Sequence, residues 1–217
     1  MRKVTIVSTC HREKGTITAA NLCRILEQIQ PEVIFLEVSP DNFNLLYHSG
    51  TPKTLEPKAV LQFASNRNVE LVPVDLSIHA GTAKEKADYR FKVLDTYSSE
   101  RRKQIDMRIN ECMLRDGFEY LNGDQYSKDL NELDNEDLKV IRRLNDPKIT
   151  ELNEWWISIN SYREDEMLRR IFEYSQINTF QEAVFLIGSA HRDAIFEKSK
   201  EQNDNLLQLV KWQHHTG

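Results

Sequence analysis

The residues best suited to chemistry in this sequence are His11, Glu37 and His191. Each stands at or just after a run of apolar or β-branched residues of the kind that forms a buried strand. Two imidazoles and one carboxylate can hold a divalent metal ion, with coordination positions left for water and substrate. The same groups can act without a metal, one histidine taking a proton from water. The spacing is not a HExxH motif, so both chemistries stay open.

Glu37 is the most informative of the three. It follows the apolar run 33–36 and precedes Val38, which predicts a carboxylate close to the core of a sheet. An ionised carboxylate in that position needs a metal ion, a histidine or Arg163 as a partner. The alternative is that the strand ends one residue earlier and Glu37 caps a helix from the solvent side.

Both histidines follow turns of small residues, STCH at 8–11 and GSAH at 188–191. Small residues allow a sharp turn and the close approach of a ligand, so Ser8 and Gly188 are predicted to lie beside the substrate or behind the site. A lone histidine is more often a packed or surface residue than a ligand. Two histidines in near-identical frames after equivalent strands favour a shared site.

Two charged residues are predicted to support this site. Arg163 falls in an S-x-x-E pattern at 161–164, which predicts a helix start with Arg163 in the first turn. From there Arg163 would clamp Glu37 or a carboxylate of the substrate, or else lie exposed. Asp75 follows the third predicted strand, where it would orient a histidine or begin a turn.

The elements that position these residues alternate between two periodicities. Strands are predicted at 4–7, 33–36 and 69–74, and helices at 17–30 and over a segment with Pro57 in its first turn. This βαβαβ pattern predicts an α/β fold with a mostly parallel central sheet flanked by helices. Since ligands bind at the carboxyl ends of parallel strands, the candidate residues should converge at that edge.

The middle of the chain has a different character. Residues 83–160 are charged and lack a convincing strand, which predicts a large helical insertion or lid between the third and fourth core strands. Strand patterns return at 183–187 and 206–210. The predicted organisation is therefore an α/β core made of 1–82 and 161–217, with the insertion between them.

Composition excludes several classes of function. A net charge of −5 and a basic cluster limited to 101–103 argue against a nucleic-acid partner. The three cysteines are widely spaced and form no CxxC pair, and there is no apolar stretch of the roughly 18 residues that a membrane span needs. No P-loop, GxGxxG or GxSxG motif is present. These features predict a cytoplasmic protein without a membrane partner, acting on a small-molecule or peptide substrate.

With these residues in place, the sequence resembles the Tiki/TraB superfamily, which also includes erythromycin-esterase-like and haem-binding ChaN-like proteins. The resemblance covers about residues 4–80 and 160–200 and rests on four segments: STCH at 8–11, PEVIFLE at 31–37, REDEM at 163–167 and GSAH at 188–191. The sequence departs from the family pattern at Ser8, which replaces a glycine, and at Tyr162, where an acidic residue often precedes the arginine.

The resemblance implies an α/β core of two half-barrel-like repeats on which the motif residues converge. It also implies metal-dependent proteolysis, as in the Tiki branch, or His/Glu-driven ester hydrolysis, as in the esterase branch.

The sequence as a whole predicts a hydrolase. In its metal-dependent, peptidase- or amidase-like form, His11, Glu37 and His191 hold Mn, Co or Zn, and Arg163 steadies the substrate. In the metal-free esterase form, His11 is a general base oriented by Glu37, and His191 stabilises the oxyanion. A third hypothesis is a non-catalytic module that binds a haem-like small molecule in the same crevice.

Overall fold

The computed structural model describes residues 2–49, 52–77, 80–205 and 209–215. The described elements are β1 (Arg2–Thr9), α1 (Ala19–Ile29), β2 (Val33–Leu36), α2 (Pro40–Tyr47), α3 (Leu55–Ala64), β3 (Glu70–Pro73), α4 (Ala80–Thr96), α5 (Glu100–Leu121), α6 (Asp124–Leu144), α7 (Pro147–Ile177), β4 (Glu182–Gly188), a 3₁₀ turn (Ser189–His191), α8 (Arg192–Asn205) and β5 (Val210–His214).

The described strands form one parallel sheet of five in the order β3-β2-β4-β1-β5. This confirms the predicted α/β fold. The first, second and fourth strands were predicted because each is an apolar run buried on both faces, as parallel sheets require. In the register, Leu36 lies opposite Leu186 and Thr9 opposite Gly188. The segments that follow β1, β2 and β4 therefore leave the sheet side by side at its carboxyl edge.

The two faces of the sheet hold separate cores, because successive strand residues point to opposite sides. On one face, Val7, Ile34 and Leu186 pack with buried residues of α1, α3 and α5. On the other face, Phe35 and Phe185 pack with buried residues of α7 and α8. Both faces are thus covered by helices, and the carboxyl edge is left for chemistry.

The helical middle is shared between the sheet and a small core of its own. Leu94, Val140, Ile141 and Ile149 of α4, α6 and α7 form a separate cluster. Buried residues of α5, by contrast, belong to the core beneath the sheet. Among the described residues, no helix combines the length and apolar character needed to cross a membrane.

The start of α7 corrects the predicted capping box. The helix runs without interruption from Pro147, with Asp146 as the N-cap that accepts from the N–H of Lys148. Asp before Pro is a strong start signal, whereas S-x-x-E at 161–164 is also the ordinary i, i+3 spacing of a helix interior. Arg163 therefore lies in the middle of a helix rather than in its first turn, and the predicted boundary at 160/161 falls inside α7.

Two other elements differ from their predictions. Helix α2, capped by Ser39, was not predicted because Tyr47 is its only buried residue. The last strand begins at Val210 rather than at residue 206, and the segment 206–208 lies outside the described residues.

Two glycines fix the loop between β1 and α1. Gly15 and Gly117 both adopt positive φ, and Gly117 kinks α5. A Cβ on Gly15 would come within 3 Å of the backbone of Leu114, and one on Gly117 would collide with Thr16. Only glycine permits both the conformation and the approach. The loop that carries His11 is thereby held against α5.

Candidate functional site

At the carboxyl edge, the structure brings Glu37, Asp75, Arg163 and His191 together. Glu37 directly follows β2, Asp75 follows β3, His191 ends the 3₁₀ turn after β4, and Arg163 reaches in from α7. The Arg163 guanidinium joins the two carboxylates, with Nη2 2.7 Å from Oε1 of Glu37 and 2.8 Å from Oδ2 of Asp75. Three loops and one helix therefore converge as the positions after the strands predict.

Arg163 donates to three side chains of the protein and lies close to His191. Beyond the two contacts of Nη2, Nε donates to Oδ1 of Asp75 at 3.1 Å, and Nη1 lies 3.2 Å from Oδ1 of Asn160 and 3.5 Å from Nε2 of His191. Burial acts to lower the pKa of Arg163, but the hydrogen bonds with Asp75 and the charge of Glu37 raise it above its ordinary value. Arg163 thus holds two carboxylates of the protein.

Asp75 follows β3 and is the second carboxylate that binds Arg163. Its two carboxylate oxygens make a bidentate contact with Arg163, and Oδ1 also accepts from the N–H of Leu76. The backbone carbonyl of Asp75 accepts from Arg170, about two turns after Arg163 on α7. Asp75 thus fixes the side chain of Arg163, because a guanidinium can donate two parallel N–H groups to one carboxylate.

His191 is oriented by a residue that the sequence analysis assigned to a helix cap. Nδ1 of His191 lies 2.7 Å from Oε1 of Glu164, and Oε2 of Glu164 pairs with Lys198 at 3.1 Å. On the other side of the ring, Nε2 is 3.7 Å from Oε1 of Glu37. Glu37, Asp75, Arg163, Glu164 and His191 form one connected set, here called the Arg163 network.

Gly188 contributes a backbone hydrogen bond to the Arg163 network. Its N–H donates to Oε2 of Glu37 at 2.5 Å, and a Cβ at this position would lie 3.1 Å from the same oxygen. Ser8 plays a different part from the predicted one. It is fully buried, and its backbone N–H and C=O both bond to Asn122 at the end of α5.

His11 lies apart from the Arg163 network. Its side chain is 75% exposed, and Nδ1 is 3.5 Å from Oε1 of Glu56 in the first turn of α3. Thr9 donates its hydroxyl to the same oxygen at 2.8 Å. The hydrogen bond to Glu56 raises the pKa of His11, with smaller contributions in the same direction from the charges of Glu56 and Glu37, while burial opposes them.

A cavity of about 160 Å³ is lined both by the His11–Glu56 pair and by Glu37 of the Arg163 network. His11 and Glu56 line it on one side and Glu37 on another, and Val38, Tyr47 and Pro57 contribute to its apolar wall. Arg163 and His191 are not among its lining residues. This space, here called the His11 cavity, holds roughly five waters at about 30 Å³ each, or a short acyl group with one water.

The predicted metal ligands do not fit a divalent ion in this arrangement. Both oxygens of Glu37 already accept hydrogen bonds, from Arg163 and Gly188, and Nε2 of His191 faces the guanidinium. An ion bound there would face a second cation at short range. Among the described residues, no group of three or more His, Cys, Asp or Glu side chains is arranged around a common point for a metal.

Two carboxylates that contact the histidines, Glu56 and Glu164, were not predicted as site residues. Glu56 stands in the first turn of a predicted helix, where an acid is commonly explained by the helix dipole alone. Glu164 stands three and four residues before Met167 and Leu168, on the buried face of α7. An acid at such a core position was the available signal, because buried acids need partners.

Comparisons with protein-family models, curated proteins and solved structures found no match to this chain. The resemblance to the Tiki/TraB superfamily therefore stays a prediction from the motif residues, and the function is argued from the site itself.

Proposed function

We propose that this chain is a metal-independent hydrolase of small uncharged esters. The observation that carries the proposal is the His11–Glu56 pair on the wall of a cavity that Glu37 also lines. A histidine paired with a carboxylate beside a cavity is an arrangement suited to general-base catalysis.

The proposed step uses one water and one ester. Neutral His11 removes a proton from water as the water oxygen attacks the ester carbonyl carbon, and Glu56 stabilises the imidazolium that forms. The tetrahedral intermediate then expels the alkoxide, which takes the proton from His11. The products are a carboxylic acid and an alcohol, and His11 returns to its neutral form.

Charge and leaving group define the substrate class. Glu37 and Glu56 both border the cavity, so an anionic substrate would be repelled. An alkoxide is a better leaving group than an amide nitrogen, which has to be protonated before it departs. The remaining wall is largely apolar, which fits a short acyl chain.

In this mechanism the Arg163 network positions Glu37 rather than contacting substrate. The guanidinium and the Gly188 N–H hold the carboxylate at the cavity, and Glu164 holds His191 against it. This changes two assignments made for the metal-free esterase. Glu56, not Glu37, orients His11, and His191 lies behind the cavity instead of at an oxyanion.

The test is the hydrolysis of short alkyl esters, followed by acid release in a pH-stat. His11→Gln should lower kcat/KM by about 10²–10⁴-fold, the usual range for a general base. His48→Gln is the matched control, because His48 is an exposed histidine at the end of α2 and should leave the rate unchanged. Equal rates for wild type and His11→Gln would contradict the proposal.

The metal-dependent alternative has its own measurement. Elemental analysis compares the wild type with a His11→Ala, His191→Ala double variant, after exposure of both to Mn, Co and Zn. Activity that survives chelation, with no metal retained, supports the ester mechanism. About one metal ion in the wild type, lost in the double variant together with amidase activity, would favour the metallohydrolase.

We also propose a reducing, cytoplasmic location for the protein. Cys10, Cys23 and Cys112 are all free thiols, which supports a compartment without disulfide formation. Cell fractionation tests this, and recovery of the protein in an oxidising compartment would contradict it.

A further inference from the structure

A second cavity, of about 500 Å³, lies away from the His11 cavity among α4, α6, α7 and α8. Arg90 of α4 and Asp134 of α6 line it, with Trp156 and Ile157 of α7 forming part of an apolar wall. Its volume is within the range of small-molecule sites. Glu164, which holds His191 in the proposed hydrolase, also lines this cavity, but the ester of that mechanism does not enter it.

Arg90 is the unusual residue in this cavity, because only 6% of its surface is exposed. Nε and Nη2 both donate to Oδ1 of Asn153, a neutral partner, and the nearest carboxylate oxygen, on Asp137, is 3.9 Å from Nη2. Within the described part of the chain, Nη1 has no hydrogen-bond partner. Burial lowers the pKa of Arg90, as expected for a guanidinium whose charge is incompletely compensated.

The other charged groups around the cavity are largely paired with each other. Asp137 is bound by Arg102 at 2.5 Å, and Glu164 is bound by Lys198 at 3.1 Å. Asp134 has no hydrogen bond or ion pair to any residue that the structure describes. One buried cation with a free N–H group and one free carboxylate therefore remain in a single cavity.

A ligand that satisfies both groups carries one negative and one positive charge. Carboxylates are the natural partners of a guanidinium edge, and an ammonium group is the natural partner of a free carboxylate. The wall formed by Trp156 and Ile157 would accept an apolar substituent, and the indole also lies 5.7 Å from the Arg90 guanidinium carbon.

We propose that this cavity binds a free α-amino acid with an apolar side chain. Its carboxylate bonds to Nη1 of Arg90, its ammonium group pairs with Asp134, and its side chain contacts Trp156 and Ile157. The site is independent of the ester-hydrolysis proposal, so either one can fail without the other.

The first test measures the thermal midpoint and tryptophan fluorescence of the wild-type protein with millimolar L-leucine, L-methionine or L-phenylalanine. At least one should raise the midpoint in a concentration-dependent way, since a ligand that binds only the folded state stabilises it. The N-acetyl and carboxamide derivatives of that amino acid each lose one charge and should bind at least tenfold more weakly. No response to any of the three amino acids, or equal binding of the blocked derivatives, would overturn the proposal.

The second test removes the two charges from the protein. Asp134→Asn changes an exposed carboxylate and should weaken binding at least tenfold without affecting the fold. Asp88→Asn on α4 is the matched control, because Asp88 is exposed and does not line the cavity. Arg90→Lys keeps the charge but loses the fork geometry, so it should also weaken binding. Unchanged affinity in Asp134→Asn would refute the assignment even if Arg90→Lys does not fold.

Discussion

The two sides of Glu37 differ in how completely their polar groups are satisfied. On the Arg163 network side, the arginine donates to three side chains of the protein, and both oxygens of Glu37 have partners. On the His11 cavity side, His11 is largely exposed and contacts one carboxylate at 3.5 Å. Saturated groups stabilise a fold, whereas a group with a free nitrogen beside a cavity can exchange a proton with a substrate.

This contrast distinguishes residues that stabilise the fold from residues that can act on a substrate, which the sequence pattern does not distinguish. His11, Glu37, Arg163 and His191 look alike as chemistry-bearing residues after strands. In the structure, Arg163 and His191 hold the carboxylate of Glu37 in place, and only His11 and Glu37 of the four border the open space. Substitutions on the network side should therefore change stability first, and substitutions on the cavity side should change catalysis first.

The largest expected effect comes from removing the network cation. Arg163→Met leaves Glu37 and Asp75 buried without their shared partner, which should lower the free energy of unfolding by about 3–5 kcal/mol. Urea denaturation at neutral pH measures this loss. The matched control is Arg169→Met on the same helix, because Arg169 is half exposed and its less exposed partner, Glu166, keeps an ion pair with Arg170. The control should lose less than about 1 kcal/mol, and equal losses would show that the network is not special.

A smaller effect is expected from crowding the network. In Gly188→Ala, the new Cβ would lie 3.1 Å from Oε2 of Glu37, so the carboxylate or the strand end must shift. Overpacking of this kind should cost about 1–3 kcal/mol. Gly81→Ala is the control, since nothing lies within 4 Å of a Cβ there and alanine is the better helix former. A stabilised Gly188→Ala variant would contradict the described contact.

The sheet could be predicted because its information is local. Three of its strands are contiguous apolar runs, and the positions directly after them already place Glu37, Asp75 and His191 at one edge. Helix α2 was not predicted because its local pattern is weak. Only Tyr47 is buried, so its sequence shows little helical periodicity. The carboxyl edge of the sheet was thus predictable from the sequence, whereas helix α2 beside it was not.

The partners within the site could not be predicted, because they join residues far apart in the chain. His11 meets Glu56 across 45 positions, and neither residue's neighbours indicate the other. Glu164 shows a different limit. Its spacing from Ser161 matches a capping box and also one turn of a continuous helix, and only the true start at Asp146 separates the two. Arg163 was one of three partners predicted for Glu37, beside a metal ion and a histidine, because a buried acid needs a partner, and the structure places Arg163 against it.

The next prediction concerns the charge of His11 and sharpens the cavity side of the comparison. Because Glu56 raises the pKa of His11, the base form accumulates only above the ordinary histidine value of about 6.5. The ester-hydrolysis rate should therefore rise with pH through a pKa above that value. In Glu56→Gln the apparent pKa should fall back, since the favourable charge is lost. Proton NMR titration of the His11 ring, whose signal is the one missing in His11→Gln, measures the shift directly, and an unchanged pKa in Glu56→Gln would contradict the proposed pair.

The smallest effect is expected for the stability of His11→Gln. A group whose pKa is raised on folding stabilises the folded state below its unfolded pKa, and that contribution is lost as the pH rises through the folded pKa. For His11 the contribution must be slight, because solvent screens a side chain that is 75% exposed. The free energy of unfolding of the wild type should therefore exceed that of His11→Gln by no more than about 0.5 kcal/mol at acidic pH. At alkaline pH the two should not differ measurably. Parallel urea titrations on both sides of pH 6.5 test the sign as well as the size. A loss of several kcal/mol in His11→Gln would place His11 with Arg163 among the structural residues, and the comparison between the two sides of Glu37 would then fail.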